Sequence, residues 1–345
     1  MKIRWLLAFL ALCHGMGAFA DVQCLSGDAA KKAFLAEGKE PYFSLLQPRE
    51  MAAKVGHPVH TGSIQLQRDA LRTEYRKDVL SCTPDESRAL EGYISVIESK
   101  LKPLYPGLVA LPWRIVKVDD AIEGGLPHTR DNVIILSQSM FNAITKSAQQ
   151  ESWDLNIINI LIHEQIHVIQ RVKADTFARL YEDQWGFRKA ASIKGAGTWL
   201  AQHQIVNPDG VDVLWVWPVP GTSRVIWPRV ILDGDSEAPR MPDDFRMIGI
   251  ELRAAKDGYS VVTEKKGIPR YRSLRDEPGY VEKFSGISSI YHPNEIAADY
   301  LANLAVLDGF VDQSRIPKEQ MAKVDEIFNP IRSWARSTFG AADQN

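Results

Sequence analysis

The spacing of apolar positions changes several times along the chain, and each change marks a different element. From Ala29 to Leu104 apolar residues recur at intervals of three and four, the pattern of amphipathic helices. The clearest stretches are Gln67 to Val79 and Pro84 to Leu104, the second bracketed by Pro84, which suits a first helical position, and Pro103 near its end. The period then shortens. Trp113 to Val118 and Asn132 to Ser137 read as strands separated by a Gly124-Gly125 loop, and an antiparallel pair is expected. Leu155 to Val172 is apolar on several sides, through Leu155, Ile158, Leu161, Ile162, Ile166 and Ile169, with Ser152 or Asp154 available as cap. Such a helix needs partners on both flanks.

From about residue 195 to 286 glycine and proline punctuate alternating runs, among them Val213 to Trp217, Val225 to Trp227 and Tyr259 to Val262, which predicts a β-rich insertion. A helix is expected from Pro293 through Leu301, Leu304 and Val306 to a stop at Gly309. Two more follow, Pro317 to Phe328 and Pro330 to Phe339. The fold class is therefore α+β: a small antiparallel or mixed sheet, a buried central helix, a helical C-terminal lobe and the insertion.

Composition narrows the setting. Lys2 and Arg4, the apolar run Trp5 to Cys13 and the small-residue site Ala18-Phe19-Ala20 together read as a cleavable secretory signal over residues 1–20, which places the protein in a secreted or periplasmic compartment. Its loss leaves residues 21–345 as one elaborated domain or two lobes, a soluble chain with no further apolar span long enough for a membrane. Of 41 basic residues two leave with the signal, so 39 stand against 43 acids, a net charge of −4 that excludes a basic field for nucleic acid. Cys24 and Cys82 remain as the only cysteines and are expected to form one disulfide. Nothing in the pattern sets an oligomeric state.

Inside the central helix stands His163-Glu164-Gln165-Ile166-His167. Two histidines one turn apart share a helix face, so their imidazoles can converge on one zinc ion with the glutamate beside it, the layout of a zinc hydrolase. A third protein ligand is then needed, with a fourth position left for water. Gln170 and Lys173 occupy the positions where the extended HExxHxxGxxH pattern requires Gly and His, which excludes that arrangement. The strongest third ligand lies in Tyr291-His292-Pro293-Asn294-Glu295-Ile296-Ala297-Ala298-Asp299, where Glu and Asp sit four apart on one helix face. Glu295 is also an acid in a first helical turn after Pro293, where the helix dipole alone would favour it. Glu182 is a rival ligand, Asp175 and Asp183 weaker ones, and no acid follows Glu182 by four. His57, His60 and His203 have no ligand spacing, and His128 reads as a surface turn residue.

An HExxH helix followed by a helix bearing ExxxD resembles the thermolysin-like metallopeptidases called gluzincins. The resemblance covers about a dozen residues, and Glu295 lies 128 positions after His167, several times the family's separation. It implies a zincin-like fold, one zinc bound by His163, His167 and Glu295, Glu164 as general base and Asp299 on the outer nitrogen of a ligand histidine. Tyr291 or His292 would stabilise the oxyanion, and a peptide or protein would be the substrate. It also implies that an edge strand within Gly125 to Leu136 accepts the substrate backbone. Two other functions fit the motif: an envelope binding or assembly protein retaining the zinc site without turnover, and a hydrolase of a non-peptide amide.

Overall fold

The computed structural model describes residues 21–37, 41–59, 62–150, 153–195, 197–210, 213–234 and 236–340. The predicted signal segment, Ser152 and His60 lie outside them. In chain order β1 (Val22–Leu25) leads into a helical run, α1 (Gly27–Phe34), α2 (Tyr42–Leu45), α3 (Pro48–Val55) and α4 (Ile64–Lys77). Then come β2 (Val79–Leu80), α5 (Pro84–Leu101), β3 (Trp113–Val118), β4 (His128–Arg130), β5 (Val133–Ser137) and α6 (Gln138–Gln149). The predicted helix at Gln67 to Val79 begins earlier, because the Ser63 hydroxyl accepts from the Leu66 N–H and caps it, and it ends at Lys77 because Val79 pairs with Val118. Thr83 and Glu86 form a reciprocal capping box at the start of α5.

The first sheet runs β1-β3-β5-β4, with β2 beside β3. Here the expected antiparallel pair is corrected: β3 and β5 are parallel, with Ile115 opposite Ile134 and Val118 opposite Ser137. The short β4 supplies the return leg, antiparallel to β5. Burial on both sheet faces gives the reason. Trp113, Ile115, Ile134 and Leu136 face one core with α5 and α6, while Val116, Val118, Val133 and Ile135 face another with α1 to α4. An unbroken apolar run such as Val133-Ile134-Ile135-Leu136 is the mark of a strand covered on both sides, as in parallel sheets.

On the first of these cores lies α7 (Leu155–Val172), capped by Asp154, whose Oδ1 accepts from the Asn156 N–H at 2.8 Å. Next come α8 (Ala174–Arg179), a π turn over Leu180–Gln184, β6 (Arg188–Lys189), β7 (Ile193–Lys194) and α9 (Gly197–His203). The strands β8 (Trp215–Pro218), β9 (Val225–Leu232), β10 (Phe245–Ala255), β11 (Gly258–Val261) and β12 (Tyr271–Ser273) follow. A second sheet, ordered β6-β8-β9-β10-β11-β7 with β12 against β10, accounts for the β-rich stretch. Arg49 of α3 ties it down, donating to the carbonyls of Gln202, Leu232, Asp233, Gly234 and Ser236.

The chain closes with α10 (Tyr280–Lys283), α11 (Pro293–Phe310) and α12 (Lys318–Phe339). The two helices expected after Pro317 are one, with Pro330 inside it. Proline removes one backbone hydrogen bond there, and buried Ile331, Ala335 and Phe339 hold the later turns to the body. The helix α11 packs along α7, and its Ala297, Ala298, Ala302 and Ala305 are fully buried. Small side chains let the two axes approach closely. Cys24 and Cys82 are disulfide-bonded, joining β1 to the segment before α5, and no helix among the described residues is long and apolar enough to cross a membrane.

Candidate metal centre

The packing of α11 on α7 brings three potential ligands together. His163 and His167 project from one face of α7, and Glu295 from the first turn of α11; their ligand atoms all lie within 4.8 Å of one another. The two Nε2 atoms are 3.0 Å apart. Glu295 spans them, Oε2 at 3.5 Å from His163 Nε2 and Oε1 at 3.6 Å from His167 Nε2.

The outer nitrogens decide what this cluster can hold. His163 Nδ1 lies 3.1 Å from Asp299 Oδ1, four residues along α11 from Glu295, and the Ser289 N–H fixes the other Asp299 oxygen at 2.9 Å. His167 Nδ1 lies 2.8 Å from Gln170 Oε1. The orientation of Gln170 is set by its amide group, which donates to the Asn294 carbonyl at 2.8 Å and to the Tyr181 hydroxyl. Carboxylate and amide oxygens only accept, so both Nδ1 atoms carry the hydrogen and both neutral Nε2 atoms present lone pairs to one point. Two lone pairs and a carboxylate so placed repel unless a proton or cation lies among them. The donor set, two imidazole nitrogens and a carboxylate oxygen, is one that could hold a divalent metal ion.

Electrostatics agree with this. Burial opposes the charged form of His163, yet the hydrogen bonds to Asp299 and Glu295 carry its pKa well above the ordinary value; His167 is raised against burial by Asp209 and Glu295. Glu295 is held well below the usual carboxylate range by the two histidines, despite its own burial.

Glu164 sits beside the cluster, 4 % exposed. Its Oε2 accepts from the Thr129 hydroxyl at 2.8 Å, and burial, with Asp209 adding, pushes its carboxyl up to about 7. A carboxylate near neutrality is matched to taking a proton from water and returning it. Tyr291 lines the same cavity of about 210 Å³ as His128, His163, Glu164, Asp209 and Glu295. Burial raises its hydroxyl well above the ordinary tyrosine value, so it remains a donor. His292 has another place. It is the cap of α11, its Nδ1 accepting from the Asn294 N–H at 3.2 Å, its ring lies near Gly210, and it does not line that cavity.

The other candidates disperse. Glu182, Asp183 and Asp175 are exposed on the turns after α7, outside the cluster. His57 is exposed beside Glu74, and His203 stacks on Trp199. His128 is corrected from a surface turn residue to a buried one in β4, 3 % exposed, because β4 is roofed by other segments. That roof also changes the expected substrate edge: β4 does end the sheet, but the Thr129 N–H donates to Asp209 Oδ1 at 2.6 Å and its carbonyl accepts from Arg171 at 3.3 Å.

The segment Ile205 to Gly210, between α9 and β8, supplies residues that the motifs did not indicate. Asn207 donates to Glu295 Oε1 at 2.6 Å, and the Asn294 amide holds the Asp209 carbonyl at 3.1 Å. Arg171 binds the Pro208 carbonyl at 2.7 Å. Only Gln170 had a local signal, since it stands three residues after His167 on the same helix face. Thr129 lies within the segment expected to border the site, though nothing there indicated its contact with Glu164, and Asn207 and Asp209 come from distant sequence and had no signal. No protein-family model, curated protein or solved structure matches the chain.

Proposed function

We propose that the protein is an exported zinc-dependent peptidase with a zincin-like fold, similar in its site to gluzincins. One observation carries this: two imidazoles whose outer nitrogens are each held by an acceptor aim their inner nitrogens at one point, where a carboxylate from a second helix meets them. His163, His167 and Glu295 would hold the zinc, which when bound polarises a carbonyl and makes water acidic enough to lose a proton near neutral pH.

The remaining steps belong to the chain. Glu164, steadied by Thr129 at Oε2, takes the proton of the attacking water as the carbon–oxygen bond forms. It then delivers that proton to the amide nitrogen as the carbon–nitrogen bond breaks, leaving an amine and a carboxylic acid. Tyr291, kept protonated by its surroundings, donates to the carbonyl oxygen as negative charge gathers there. Roughly 3 kcal/mol of such stabilisation would be at stake in Tyr291→Phe, a loss of about a hundredfold in kcat.

The test is elemental analysis of purified mature protein together with peptidase assays. One zinc per chain and zinc-dependent cleavage, with Glu164→Gln keeping the metal and losing turnover, support the reading. Full metal retention in Glu295→Ala would move the third ligand elsewhere. A Glu164→Gln variant whose cellular function is unchanged would instead identify a binding protein.

A further inference from the structure

The cavity beside Glu164 contains two buried acceptors that the hydrolytic steps leave unused. Asp209 is 8 % exposed, and its Oδ1 takes the Thr129 N–H. His128 is 3 % exposed, its Nδ1 lies 3.1 Å from the Leu126 carbonyl, and its Nε2 has no partner. A carbonyl only accepts, so Nδ1 carries the hydrogen and the neutral ring keeps a free lone pair on Nε2, in a residue that lines the cavity. Burial holds His128 in that neutral form by lowering its pKa. The imidazole lone pair is shut off from water and lacks a donor, and the Asp209 carboxylate adds negative charge to the same cavity, so a group with several N–H donors and a positive charge would complete both.

The same segment limits how a substrate can enter. A chain running through the site would pair with the outward groups of β4, but Asp209 and Arg171 already occupy the Thr129 N–H and carbonyl. The cavity, at about 210 Å³, is also below the roughly 300–1,000 Å³ of pockets that enclose larger ligands. Both features suit the end of a polypeptide better than its middle.

We propose that Asp209 and His128 form a subsite for the free α-ammonium group of the substrate, which makes the protein an aminopeptidase that removes residues from the amino end. This rests on the peptidase reading above. The ammonium donates to Asp209 and to His128 Nε2, which leaves the first peptide carbonyl facing the metal ligands and Glu164. Acetylation of the amine removes both the charge and two of its donors, and the subsite rejects it.

The experiment compares one peptide with a free and with an acetylated amino terminus, each incubated with zinc-loaded protein and followed by mass spectrometry. Stepwise loss from the free terminus is expected, with kcat/KM for the acetylated form lower by roughly 100-fold. Asp209→Asn keeps an acceptor for Thr129 but loses the charge; it should raise KM for the free peptide and narrow the ratio while zinc content and melting temperature hold. Calorimetric titration with leucine hydroxamate and its N-acetyl form provides a readout without turnover: the free amine binds at least tenfold tighter to wild type, and that preference is lost in Asp209→Asn and in His128→Phe. Equal cleavage of both peptides, internal cleavage, equal hydroxamate affinities, or a second zinc that disappears in Asp209→Asn would each overturn the subsite. Absence of zinc-dependent cleavage of either peptide, with the hydroxamate preference intact, would instead sink the peptidase reading and leave the ammonium subsite standing.

Discussion

Replacing Asp299 with asparagine probes the metal centre at a position that touches no substrate. Asp299 Oδ1 is 3.1 Å from His163 Nδ1, and its other oxygen accepts from the Ser289 N–H at 2.9 Å. Asparagine fills the same volume and can keep one of these contacts, so the helix should fold as before. What is lost is a negative charge directly behind the imidazole, which makes Nε2 a better donor and fixes the tautomer that presents it. Losses of about 10- to 100-fold in metal affinity follow the removal of such partners, or about 1.4 to 2.7 kcal/mol. Gln170→Leu removes the corresponding neutral partner of His167, whose Nδ1 contact is 2.8 Å. Its effect should be the smaller, because a neutral acceptor polarises the ring less than a carboxylate. Competition titration against a chromophoric chelator at fixed pH measures both. If Asp299→Asn binds zinc within twofold of wild type, Asp299 does not tune His163 and the proposed ligand tautomers are wrong.

Three further outcomes concern stability. Lys54 is fully buried, 2.7 Å from Glu123 Oε2, so Lys54→Met leaves a buried charge without its cation and should cost about 3–5 kcal/mol in denaturant unfolding; a loss below 1 kcal/mol would count against the pair. Glu123 is pulled down to about 2, since Lys54 and the Tyr42 hydroxyl outweigh its burial. Its contribution is present above the unfolded carboxyl value near 4.5 and is lost as pH falls toward 2, so wild type but not Glu123→Gln should lose on the order of 3 kcal/mol across that window in acid titrations followed by circular dichroism. Cys24→Ser/Cys82→Ser opens a loop spanning 58 positions and should lower stability by about 4 kcal/mol, read from unfolding of the two proteins side by side.

What the amino-acid sequence determined by itself was local. The one-turn spacing of His163 and His167, the four-residue spacing of Glu295 and Asp299, and the capping of their helices all follow from helical geometry, which acts within a few residues. The apolar runs likewise announced a mixed chain of helices and strands. Their direction was not legible: whether β3 and β5 run parallel depends on what covers their two faces, and those covers, α1 to α4 on one side and α5 to α7 on the other, are assembled from far along the chain. Tertiary structure alone brought Glu295 to the histidines, set Thr129 on the base, laid Asn207 and Asp209 over the site and buried His128. Periodicity places a side chain on a face. Which distant group that face meets is decided by burial of apolar surface over the whole core, a sum that no short window of sequence contains.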